Sequence, residues 1–79
     1  MNARYSGVVD LRPGVDIPAA LSEIARELLE HLKRAGPDTL EIRLTVDAGK
    51  RTGFDDDTVR TVRENGRTLG FTQNGFSEL

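Results

Sequence analysis

Hydrophobic and polar positions alternate along two stretches of this chain and recur at helical spacing along two others. Between positions 4 and 12, Tyr5, Val9 and Leu11 share one side with the neutral Gly7, while Ser6, Asp10 and Arg12 share the other. A period of two predicts a strand with one buried face, and Val8, which breaks the alternation, places part of the second face under cover. Pro13-Gly14 ends it, because proline lacks the ladder donor and glycine accepts turn geometries closed to other residues. The next segment predicts a helix over about 17–35. Asp16 caps it, Pro18 sits in its first turn where a missing N–H is harmless, and Leu21, Ile24, Ala25, Leu28, Leu32 and Ala35 form one apolar stripe. Gly36-Pro37 is the stop, with Lys33 and Arg34 placed favourably against the helix dipole.

A second, stricter alternation runs from 39 to 47. Leu40, Ile42, Leu44 and Val46 define a core face, and Glu41, Arg43, Thr45 and Asp47 define a wet one. A polar loop bracketed by Gly49 and Gly53 follows, with Phe54 as an anchor at its far end. Asp55-Asp56-Asp57 then opens a second helix whose Val59, Val62, Gly66 and Leu69 lie on one stripe. A glycine inside a helix costs about 1 kcal/mol relative to alanine, so Gly66 on that stripe points to a close approach by another part of the chain. Gly70 ends the helix, and positions 71–76 read as an apolar tail turned by Asn74-Gly75.

The order of elements predicts an α+β fold, a small two-layer β-α-β-α unit forming a single domain over 1–79. Direct pairing of the two strands across the intervening helix would make a parallel, right-handed unit. Such a sheet is thin and leaves open edges, so it is expected to be extended by pairing with a partner or a second copy. Composition strengthens that expectation: 79 residues bury a small fraction of their surface, and with no cysteine there is neither a disulfide nor a thiolate metal site to compensate. Eleven basic and thirteen acidic residues are mostly interspersed, giving a formal charge of −2 and no overall attraction for nucleic acid or an anionic membrane. No apolar run approaches the roughly 20 residues of a membrane span, and the opening residues lack the apolar core of a signal peptide. A cytoplasmic location is the expectation.

Candidate chemistry is sparse. His31 is the lone histidine and reads as a surface or boundary residue, with Glu27 and Glu30 its nearest acids. Asp55, Asp56 and Asp57 lack the alternate spacing and distant acid of a calcium loop and read as a helix N-terminus. Gly49-Lys50 lacks the earlier glycine and the following Ser or Thr of a phosphate-binding loop. No serine, histidine and acid form a catalytic set, so the expectation is no enzyme, no cofactor and no metal. What remains is a basic stripe, Arg60, Arg63 and Arg67, with Lys50 and Arg51 as neighbours in charge type. Guanidinium groups grip carboxylates and phosphates in bidentate fashion, though Arg60 and Glu64 also stand at the spacing of an ordinary surface pair.

The residues Arg4-Tyr5-Ser6-Gly7-Val8-Val9-Asp10-Leu11, and the run Val59-Arg60-Thr61-Val62-Arg63-Glu64-Asn65-Gly66-Arg67-Thr68-Leu69-Gly70-Phe71, resemble the C-terminal segment of large prokaryotic AAA+ ATPases carrying a domain of unknown function, some of them linked to anti-phage defence. Gly70 stands where such relatives tend to have lysine, and Thr72-Gln73-Asn74 where they tend to be more basic. The resemblance implies an accessory module without nucleotide chemistry, either a piece of a longer ATPase or a free-standing relative. The leading expectation is a non-catalytic interaction module that docks against a parent ATPase chain or against itself through Arg60, Arg63, Arg67, Phe71 and Phe76. The alternative is a small nucleic-acid-binding domain using the arginine stripe and the Lys50-Arg51 loop.

Overall fold

A computed structural model describes residues 1–78. Its regular structure is helical. The chain runs α1 (Ile17–Ile24), a wider π-helical stretch (Ala25–Leu29), α2 (Glu30–Arg34) and α3 (Asp56–Thr68), and it divides into two compact units, Met1–Arg43 and a second that begins at Leu44.

In the first unit the helix begins where its cap dictates. Asp16 holds an extended backbone, and its Oδ1 accepts the Ala19 N–H at 3.1 Å, relieving one of the four donors that a helix start leaves unpaired. The π-helical stretch is marked by the Glu30 N–H donating to the Ala25 carbonyl, five residues back, before α-helical bonding resumes. Ala20, Ile24, Leu28 and Leu32 form a half-buried row on this helix, joined by Ala25 and Leu29. At the end Gly36 takes a left-handed φ of 68° and its N–H donates to the Lys33 carbonyl at 3.2 Å. The next residue is Pro37, which has no N–H to add the second bond of a full helix-terminating motif.

In the second unit, a turn closed by the Gly53 N–H on the Lys50 carbonyl (2.9 Å) leads through Phe54 into α3. Asp55 caps α3, its Oδ1 accepting the Thr58 N–H at 2.7 Å. The far end is a complete Schellman motif: the Gly70 N–H meets the Arg67 carbonyl at 3.1 Å, the Phe71 N–H meets the Gly66 carbonyl at 2.9 Å, and Gly70 supplies the left-handed φ of 88°.

The expected two-layer β-α-β-α fold is not formed, because there is no strand and no sheet among the described residues. The 4–12 and 39–47 segments keep their alternating sequences but make no backbone ladder bonds among the described residues. Val8 is 96% exposed, Ile42 60% and Val46 68%. Alternation records that a segment can bury one face as a strand; it does not supply the neighbour. Two strands alone are marginal even when paired, and each here lacks a third to pack with. Side-chain directions still follow a strand's logic in places. Glu41 and Arg43, two residues apart, meet at 3.6 Å, an approach that successive helical positions do not allow. The Tyr5 ring likewise covers the Cα of Gly7.

Candidate interaction surface

α3 carries two adjacent stripes, and the residues singled out from the sequence divide between them. Arg60, Arg63 and Arg67 recur at three- and four-residue intervals, so the helix sets them along one exposed row. Their surroundings differ. Arg60 Nη2 is drawn back one turn to Asp57 Oδ1 at 3.1 Å, rather than forward to Glu64. Arg63 contributes its main-chain carbonyl as acceptor to the Asn74 side chain. Arg67 lies in the last turn, where its charge opposes the negative end of the helix dipole.

The second stripe borders an open depression lined by Val46, Phe54, Val59, Val62, Phe71 and Phe76, among others. Phe76 meets Phe54 edge to face, with ring centroids 5.5 Å apart and planes at 70°, and both rings are half-buried. Phe71, at the end of the Schellman motif, stays 40% exposed, and Leu69 stays 75% exposed. The depression is therefore apolar at its rim without being filled by the chain itself.

Gly66 is the one buried residue among those described. The reason is Asn74: a Cβ at position 66 would stand 2.7 Å from its Cγ and 2.8 Å from its Nδ2, with Oδ1 closer still. From that seat Asn74 Nδ2 donates to the Arg63 carbonyl at 2.8 Å, clamping the returning tail onto the helix. The expected turn at Asn74-Gly75 is not formed; the side chain of Asn74 holds the tail instead. Gly66 on an apolar stripe was the available sequence signal for a close approach; nothing in the spacing identified Asn74 as the group that makes it.

The acids of the α3 entry are engaged locally. Asp55 serves as the cap, and its carboxyl is held below its ordinary value of 3.8, first by the Thr58 backbone N–H and then by the Thr58 hydroxyl. Asp57 faces Arg60. His31 is exposed on α2, and Lys50 and Arg51 are exposed in the turn before Phe54. Among the described residues no group of three or more His, Cys, Asp or Glu side chains is arranged to hold a metal ion. Comparison with protein-family models, with curated proteins and with solved structures finds no match.

Proposed function

We propose that this chain is a non-catalytic interaction module whose partner is a protein, docked on its unpaired alternating segments and on the apolar depression beside α3. The observation that carries this reading is the exposure of Val8, Val9, Ile42, Leu44 and Val46 in a chain where only Gly66 is buried among the described residues. Apolar side chains on backbone that makes no ladder bonds are the ordinary starting point for strand addition, in which main-chain bonds give affinity and alternate side chains give specificity.

The sequence resemblance over 59–71 supports a large AAA+-type ATPase as the source of that partner, either as the remainder of one chain or as a separate subunit. A cytoplasmic ATPase is the partner this reading calls for. No helix among the described residues is long and apolar enough to cross a membrane. The arginine stripe then serves an acidic protein surface. A nucleic-acid role is the weaker reading, because Arg60 is already engaged by Asp57, and of the rings bordering the neighbouring stripe only Phe71 is exposed.

The test is a pair of charge insertions on the exposed alternating face, Ile42→Asp and Val46→Asp, followed by light scattering and by binding to the remainder of a candidate ATPase. Circular dichroism should show unchanged helix content, since both side chains lie outside the helices, while association is lost. A parent sequence that stays monomeric at every concentration, and that binds no ATPase segment, refutes the proposal.

A further inference from the structure

Resting on the interaction reading, we infer that the 39–47 segment pairs antiparallel with the same segment of a second copy, on a twofold axis through Ile42. Identical antiparallel strands face each other symmetrically about such an axis, and the sequence is self-complementary about one position. With the axis at Ile42, that residue faces its own copy, Leu40 faces Leu44, Glu41 faces Arg43 and Thr39 faces Thr45. All apolar residues from 40 to 44 meet apolar residues and the two charged residues among them meet their opposites, while at the ribbon's ends Val46 faces Asp38 and Asp47 lies opposite Pro37, so the matched core of the ribbon is 39–45.

Neighbouring registers fail on one count or another. An axis at Glu41 or Arg43 sets that residue against itself, and an axis at Leu44 sets Glu41 against Asp47. An axis at Thr45 brings Arg43 to Asp47 but leaves Leu40 facing Lys50. An axis between residues turns the apolar face of one strand against the polar face of the other.

The geometry of the single chain is ready for this pairing. No proline or glycine interrupts positions 38–48, and the segment's backbone makes no ladder bonds among the described residues. Glu41 and Arg43 already lie on one side of the backbone, at 3.6 Å from each other and more than 80% exposed, so both can turn to the copy at little loss. A two-stranded ribbon alone is marginal, so the apolar pairs across it must carry much of the association.

The chain has no cysteine, so one engineered thiol reads the register directly. Directly opposed residues place their Cα atoms about 4.5–5.5 Å apart, within disulfide range. Ile42→Cys is expected to form a covalent dimer on mild oxidation. Leu40→Cys and Thr45→Cys should not, because their copies would stand roughly 14 and 20 Å apart along the ribbon. In sedimentation equilibrium, Glu41→Arg or Arg43→Glu alone should weaken dimerisation by about tenfold or more, and the double swap should restore it.

A dimer that cross-links through Thr45→Cys instead, or that ignores the charge swap, overturns the register. A monomer that nevertheless binds an ATPase segment overturns self-pairing while leaving the interaction reading intact. A chain with neither property overturns both.

Discussion

Replacing Gly66 by alanine pits two opposing effects of similar size against each other. In a helix interior the substitution is worth about 1 kcal/mol in favour of folding, through backbone entropy alone. Here the new methyl group would occupy the seat of the Asn74 carboxamide, 2.7 Å from its Cγ, so the side chain must leave. Its departure removes the 2.8 Å bond to the Arg63 carbonyl, which for an exposed group is worth about 0.5–1 kcal/mol. It also loosens the tail that brings Phe76 to Phe54, an aromatic contact worth about 0.5–1.5 kcal/mol. Gly66→Ala should therefore range from neutral to about 1.5 kcal/mol destabilising in the native sequence. In an Asn74→Ala background the seat is vacant and the clamp already lost, so the same change should stabilise by about 1 kcal/mol. Urea unfolding of the four members of this cycle, followed by far-UV circular dichroism, should give a coupling of about 1–2.5 kcal/mol. An additive cycle, with alanine equally stabilising in both backgrounds, would refute the clamp.

Three further outcomes follow from the α3 caps and surface. The Asp55 carboxyl is depressed below 3.8 by its bonds to Thr58, so its contribution is present above the unfolded value and fades as pH falls through the lower folded one. Asp55→Asn keeps a competent cap without the titration, and acid titrations of helicity should show the native α3 weakening below about pH 3.8 while the variant's helix is less sensitive there. Gly70→Ala forces a side chain into a φ of 88° and should destabilise the helix end by about 1–2 kcal/mol in thermal melts, more than Gly70→Asn does. Arg60→Ala should shift stability by less than about 0.5 kcal/mol, since its pair with Asp57 is exposed; a larger loss would mean that Arg60 supports more than that pair.

Helix ends were the most legible part of the fold because their determinants are local. Asp16 and Asp55 act as caps, and Gly36 and Gly70 as stops, within a few residues of where they stand in the sequence. The alternating segments carry a strand's pattern without forming strands, because a strand is a relation between two backbones and one sequence describes only one of them. Within helix 17–35 nothing distinguished the π-helical Ala25–Leu29, since its residues suit an ordinary helix equally well. The arginine stripe was legible from spacing, but Asp57 and Glu64 both lie within reach of Arg60, and spacing alone does not choose between them. Asn74-Gly75 favours a turn, but no turn forms at that pair; the asparagine side chain instead satisfies a carbonyl eleven residues earlier.

The wide turn at Ala25–Leu29 works like a surplus rung in a spiral stair. An ordinary helix turns about 100° per residue, so the twelve steps from Ala20 to Leu32 would leave Leu32 about 120° away from the line that begins at Ala20. The wide turn takes up one of those steps and brings Leu32 back to within about 20° of that line, which is why Ala20, Ile24, Leu28 and Leu32 form one oily ridge. Trimming one residue from Ala25–Leu29, other than Leu28, would therefore return the segment to ordinary bonding with the ridge still aligned.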